Sequence, residues 1–383
     1  MLPANAPITT WLLSTECRAL PAPELLAALA ERLVAAGFPV LRLSTSLITK
    51  HPEVFVSNLE WRRGMAEALV SHRRHSITQA ERYRASPVAE IHNGADSVRG
   101  RLAEGDRRFP IFDELREGGS TDYYAVAIVF GQGERTYFSC TTDEPSGFTD
   151  DAIAMFETLR PALTTRLELA AAHHSTRSLL EVYLGKNAAA RVLSGAFRRG
   201  TGELAQCAIV FGDMRGFTSF ADRRSPVEVV SALDAFFEMV ASPIHEEGGE
   251  ILKFIGDAVL AVFRAEDSSE ADVCVRALRA AERAIAHVEA SPDPFRLGVA
   301  LHFGEVLYGN IGAQERLDFT VIGAAVNEAS RIEGLCKVTG KSLLMSDAFV
   351  DRLPSLERAR TTSAGEHAVK GVGHSVAVHT VER

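Results

Sequence analysis

Hydrophobic and polar positions alternate along the chain in two distinct ways, one before and one after residue 203. In the N-terminal part, the apolar-rich stretch Pro23 to Ala36 predicts a helix and VLRLSTSLI predicts a strand. YYAVAIVF and ERTYFSC, joined by Gly131-Gln132-Gly133, read as two strands in a tight glycine hairpin. Past the loop DEPSGF, Thr149 is placed to cap a helix in which Ile153, Phe156, Leu159, Leu163 and Leu167 recur at three and four, with Pro161 as an expected kink. Residues 1–172 therefore predict an α+β domain. The following 173–203 (HHSTRSLLEVYLGKNAAARVLSGAFRRGTGE) mix helical periodicity with Gly185, Gly195 and Gly200, which predicts a helical linker.

From 204 to 383 the pattern sharpens. Cys207 to Phe211 is an apolar strand, and Ser225-Pro226-Val227-Glu228 is a capping box with proline at the first helical position. Val229, Val230, Leu233, Phe236, Phe237 and Val240 then form one apolar helical face that stops at Gly248-Gly249. EILKFI and AVLAVF flank a Gly256-Asp257 turn and read as a hairpin. A helix over Ser269 to Ala290 and the strand FRLGVALHFG follow. Strand, helix, hairpin, helix, strand is the order of a ferredoxin-like βαββαβ sheet, so the fold class is α+β in both parts.

Composition narrows the chemistry. A formal net charge of −9 argues against a nucleic-acid-binding surface, which needs a basic face. The five cysteines are odd in number and widely spaced, so they read as reduced core thiols rather than a disulfide framework or zinc site. The first basic residue is Arg18, and the apolar run LLAALAERLVAAGF is broken by Glu31 and Arg32, so we expect a cytoplasmic protein without a membrane span.

Two carboxylates stand where the pattern leaves no core role for them. Asp213 follows the strand Cys207 to Phe211, and Asp257 tips the hairpin; in a βαββαβ order these points are neighbours. Carboxylates a few ångströms apart repel, and a shared Mg²⁺ or Mn²⁺ resolves the conflict. Taken singly, each aspartate reads first as an ordinary turn former. In DFTVIGAAVNEASRIEGLCK, a strand feeds a helix on which Asn327 and Arg331 are four apart and share a face, an arrangement suited to phosphate and ribose. The alternative for Arg331 is a surface pair with Glu328 or Glu333. Adjacent His173 and His174 diverge by about 100° on a helix and are read as a solvated face rather than a metal site. His51, His72 and His92 are expected to be ordinary surface or core residues.

FGDMRGFTSFAD, LKFIGDAVLAVF, FTVIGAAVNEASR and VKGVGHSVAVHTV, in that order and spacing between Gln206 and Val381, resemble the catalytic domain of class III nucleotidyl cyclases. The resemblance implies that Asp213 and Asp257 hold two Mg²⁺ or Mn²⁺ ions and that Lys253 and Thr320 read the base. Asp318 could be mistaken for the second base-reading position, but the spacing of seven before Asn327 selects Thr320, as in the subclass with threonine there. It further implies that Asn327 orients the ribose, Arg331 stabilises transition-state charge, Lys370 binds the triphosphate, and Phe217 and Thr218 lie in the substrate site. The implied reaction is ATP to cyclic AMP and pyrophosphate at a homodimer interface with shared active sites. Lys donating to adenine N1 and Thr accepting from the exocyclic amine favour ATP over GTP.

Ala324 and Glu328 depart from residues common in that family and carry no chemistry. A guanylyl cyclase and a catalytically silent regulatory module are the alternatives, and HEEGGEIL lacks the second acid and aromatic of a diguanylate cyclase turn. By fold analogy the N-terminal domain is GAF- or PAS-like, a sensor for an unknown ligand or a dimerisation domain, while resemblance to the threonine subclass makes bicarbonate a candidate regulator of the catalytic domain.

Overall fold

The computed structural model describes residues 6–48, 50–52, 54–74, 76, 80–196, 198–266, 268–293, 295–368 and 375–381. The chain divides between Val182 and Tyr183 into two units.

The N-terminal unit begins with α1 (Ala6–Leu12), α2 (Thr15–Ala19) and α3 (Ala22–Ala35). Strands β1 (Arg42–Ile48), β2 (Val54–Arg62) and β3 (Leu69–Arg74) follow, then α4 (Glu81–Arg84), α5 (Pro87–His92), β4 (Ser97–Gly100), α6 (Pro110–Glu117), β5 (Asp122–Val129) and β6 (Arg135–Thr142). Helix α7 (Asp150–Leu184) runs without interruption through Pro161, and Thr149 Oγ1 accepts from Ala152 N at 3.2 Å at its start. The sheet order is β3-β2-β1-β6-β5-β4, with every ladder antiparallel. Period-2 alternation sends Leu43 and Leu47 of β1 to a face packed with Trp11, Leu29, Phe156 and Leu163 from the helices. The other face of β5 and β6 packs Tyr123 and Tyr137 against Ile91, Phe112 and Leu115.

The C-terminal unit opens with α8 (Lys186–Leu193), β7 (Gly202–Arg215), α9 (Phe217–Ala221) and α10 (Pro226–Glu246). It continues through β8 (Glu250–Ile255), β9 (Ala258–Arg264), α11 (Glu270–Ala290), β10 (Arg296–Ala313), β11 (Arg316–Ile322) and α12 (Ala324–Thr339). The end is β12 (Leu343–Ser346), α13 (Asp347–Val350), α14 (Ser355–Arg358), β13 (Thr361–Ala368) and β14 (Ser375–Val381). The sheet order is β13-β14-β12-β10-β7-β9-β8, with β11 paired on β10. Its β10-β7-β9-β8 portion, antiparallel throughout, is the βαββαβ arrangement read from the sequence. The capping box of α10 closes in both directions: Glu228 N donates to Ser225 Oγ at 3.4 Å and Ser225 N to Glu228 Oε2 at 3.0 Å.

Along β7, Ala208, Val210 and Met214 bury against Phe236, Val273 and their neighbours on α10 and α11. Cys207 and Ile209 point the other way and pack with Ala188, Ala325 and Ala329 of α8 and α12. The second half of the expected linker is thus part of this core. Glu250, 7% exposed, fixes it: Tyr308 Oη donates to its two oxygens at 2.9 and 3.0 Å and Asn187 Nδ2 to one at 3.2 Å. Glu250 is a buried structural acid. All five cysteines are free and buried. Among the described residues no helix is long and apolar enough to cross a membrane.

His174 corrects one expectation. It is not a solvated helix residue: its Nε2 lies 3.1 Å from Ser57 Oγ, to which His72 Nδ1 also comes within 3.0 Å. The β2 and β3 strands bury one side of α7 at that point, which adjacency in sequence does not reveal.

Candidate functional site

Asp213 continues the odd-numbered series of β7, so its side chain belongs to the face of Cys207 and Ile209. Its cross-strand neighbours are small, Ala258 on β9 and Gly298 on β10. A carboxylate flanked by these two is not walled in by side chains on its own sheet. The β8–β9 turn, where Gly256 adopts φ 65°, brings Asp257 to the same place: its carbonyl accepts from Met214 N at 3.2 Å. The two aspartates are therefore adjacent in the fold.

Their electrostatics follow from that adjacency. Burial pushes Asp213 up to about 6, Asp257 adds to the rise, and Arg215 opposes it. A third acid lies beside them. Burial raises Glu333 to about 7, with Asp213 and Asp257 contributing and Arg215 again opposing. A Cβ placed on Gly298 would come within 2.8 Å of Glu333 Oε1 and 3.1 Å of Arg215 Nε, so the glycine gives both side chains room over the strand next to Asp213. Arg215 is fixed by a bond from Nη2 to the Lys341 carbonyl, while its buried Nε makes none. Among the described residues no group of three or more His, Cys, Asp or Glu could hold an ion alone. Two carboxylates that repel each other in a half-buried site fit a divalent cation whose remaining ligands come from a substrate.

The sign of the Asp213 shift gives a prediction. A carboxyl whose folded pKa is raised adds stability below its ordinary pKa of 3.8, and that contribution is lost as the pH rises toward about 6. In EDTA, Asp213→Asn should therefore raise the Tm of the full chain at pH 7, and the gain should vanish below about pH 4. A wild-type minus variant difference in Tm that does not change between pH 4 and 7 would remove this account of the site.

Lys253 on β8 and the middle of β11 meet at a second point. Lys253 Nζ donates to Asp318 Oδ2 at 3.2 Å. Thr320, two residues on and 5% exposed, has a buried Oγ1 with no hydrogen-bond partner. The position set aside in the sequence, Asp318, is thus the lysine's partner here, while the selected one carries the unused hydroxyl. Asn327 and Arg331 lie exposed on one face of α12. Neither Glu328 nor Glu333 pairs with Arg331: Glu328 Oε1 lies 3.7 Å from His302 Nδ1, and Glu333 faces the sheet. The cation acting on Asp213 is Arg215 and not Arg331. Phe217 and Thr218 open α9 just past Asp213, after Gly216 at φ 90°, with Phe217 half-buried against the core and Thr218 exposed. Lys370 lies outside the described residues.

Sequence reasoning did not place Glu333 or Arg215 at this site. The available signal was Gly298 inside a strand pattern, which marks close approach of another group. Glu333 also lies two residues past Arg331, about 200° around the helix and hence on its opposite side.

Residues 201–382 fit the family described as "Adenylate and Guanylate cyclase catalytic domain". The chain is similar to an adenylate cyclase of Anabaena cylindrica, 33% identical over 184 residues that make up 45% of this chain and 36% of that one. It is similar to adenylate cyclase 1 of Rhizobium meliloti, 34% identical over 181 residues, 45% of this chain and 26% of that one. The matched region spans about a third or less of the length of these relatives. A crystal structure of an adenylyl cyclase from P. aeruginosa is 23% identical and covers 48% of this chain and 96% of its own, with a TM-score of 0.42.

Proposed function

Because the C-terminal half carries a class III adenylyl/guanylyl cyclase catalytic domain, we propose that the protein converts ATP to 3′,5′-cyclic AMP and pyrophosphate at sites shared by two copies of the chain. The observation that carries this reading is the meeting of Asp213 and Asp257 at the end of β7 and the tip of the β8–β9 turn. These two carboxylates would hold two Mg²⁺ or Mn²⁺ ions. When bound, the ions supply charge neutralisation for the triphosphate and make the ribose 3′-hydroxyl more acidic.

The chain's own residues do the rest. Lys253 donates to adenine N1, and the Thr320 hydroxyl, which has no protein partner, accepts from the exocyclic amine. Asn327 orients the ribose. The 3′-hydroxyl gives up its proton to solvent as its oxygen attacks the α-phosphorus, the bond from that phosphorus to the bridging oxygen breaks, and pyrophosphate leaves. Arg331, exposed and free of Glu328 and Glu333, neutralises the charge that builds on the phosphoryl oxygens. Lys370 binds the triphosphate, and Phe217 and Thr218 belong to the substrate site. Arg331, exposed on α12, is assigned to the acidic pair of the partner copy. Two relatives named adenylate cyclases support ATP as substrate. The N-terminal unit, joined through α7, is assigned a regulatory role.

The test is direct: purified full chain with Mn²⁺ and α-labelled ATP should yield labelled cyclic AMP and one pyrophosphate per turnover. Product from GTP alone would assign a guanylyl cyclase, and no pyrophosphate from either nucleotide would assign a silent module.

A further inference from the structure

The face of the N-terminal sheet opposite the Leu43–Leu47 core is polar although much of it is buried. From β1 it presents Arg42, Ser44 and Ser46, the serines 3% and 4% exposed. From β2 it presents Asn58, Glu60 and Arg62. Each hydroxyl or guanidinium taken from water needs a hydrogen bond in its place, so the polar groups gathered on this face call for partners. Here some are met within the wall. Ser46 Oγ donates to Asn58 Oδ1 at 2.5 Å, and Ser44 Oγ lies 3.2 Å from Tyr137 Oη. Arg42 Nη2 and Arg62 Nε donate to the two oxygens of Glu60 at 2.6 and 2.7 Å. Arg42 Nε and His92 Nε2 are buried and unpartnered.

This face floors a cavity of about 490 Å³, roofed by residues of α4, α5 and α6. Its described lining holds four guanidinium groups, Arg42, Arg62, Arg73 and Arg82, against two carboxylates, Glu60 and Glu114. Burial raises Glu60, but Arg42 and Arg62 overcome it and hold the carboxyl below its ordinary range, so the acid is charged at neutral pH. The lining therefore has an excess of two positive charges in a chain whose formal net charge is −9. Val56, Val88, Ile111 and Leu115 add an apolar side.

We propose that this cavity binds a small organic oxyanion, a molecule bearing a carboxylate or phosphate group on a compact hydroxylated or apolar body. The guanidinium surplus selects the anion, since planar donors match carboxylate and phosphate oxygens. The serine and asparagine floor takes up hydroxyls. The volume sets the size: a water's share is about 30 Å³, so a bare inorganic anion would leave most of the space and the aliphatic side unused.

Isothermal titration of the full chain with citrate, with ribose 5-phosphate, with inorganic phosphate and with ribose tests this. At least one of the first two should bind at one per chain, neutral ribose should not, and inorganic phosphate should bind at least about ten-fold more weakly. Citrate alone would identify the carboxylate arm, and ribose 5-phosphate alone the phosphate arm. Arg62 and Arg73 are exposed, so Arg62→Gln with Arg73→Gln should leave the thermal transition in place while weakening binding about ten-fold or more. Binding of neither organic anion, equal binding of ribose or of inorganic phosphate, or affinity unchanged in the double variant would overturn the proposal. Because the readout is binding, such a failure is separable from a failure to cyclise ATP.

Discussion

Lys253→Glu combined with Thr320→Cys should turn the nucleotide preference from ATP toward GTP. Adenine offers an acceptor at N1 and a donor on its exocyclic amine; guanine offers a donor at N1 and an acceptor at O6. The double variant exchanges a donor for an acceptor at one contact and an acceptor for a donor at the other. Each mispaired buried group costs about 1–3 kcal/mol, so the ATP-to-GTP ratio of kcat/KM should fall about a hundred-fold or more. The Lys253–Asp318 bond adds a condition. Lys253→Glu sets a carboxylate against Asp318, so adding Asp318→Asn should strengthen the turn toward GTP. Thr320→Ala alone should lower kcat/KM for ATP by roughly five-fold, about one hydrogen bond. An unchanged ATP preference in the double variant would end the base-reading assignment. A loss that follows Asp318→Ala and not Thr320→Ala would move that assignment by two residues.

The parts of this site legible in the sequence are those that local rules determine. The capping box at Ser225 and Glu228, the apolar stripe of α10 and the glycine turn before Asp257 are each specified within a few residues, and their order implies the sheet. Asp213 and Asp257 meet because of that order. Glu333 and Arg215 were not legible, since their positions depend on how α12 lies over β10 at Gly298. The same holds for His174, whose contact with Ser57 joins residues 117 apart. The polar floor of the N-terminal cavity was hidden for another reason. In β1, Arg42, Ser44 and Ser46 alternate with Leu43, Thr45 and Leu47, a pattern that ordinarily marks a strand with one solvated face. Only the helices packed over it show that those residues line a cavity.

The largest effect expected is loss and recovery of activity through exchange of chains. In the proposed mechanism Asp213→Ala removes a metal-holding carboxylate and Arg331→Ala removes the cation that meets charge at the α-phosphorus, so either variant alone should be almost inactive. Within one chain Asp213 answers to Arg215, while Arg331 stands exposed on α12 without either neighbouring glutamate as partner. If each site takes its acidic pair from one copy and its arginine from the other, a mixed dimer gathers both lesions in one site and leaves the second intact. Random exchange in an equal mixture makes about half the dimers mixed, each with one working site of two, so activity should return to about a quarter of wild type by the symmetry of an isologous pair. Exchange can be verified independently by differently tagged chains. Verified exchange without recovery would mean that Asp213 and Arg331 serve the same site from the same chain, and the shared-site mechanism would have to be given up.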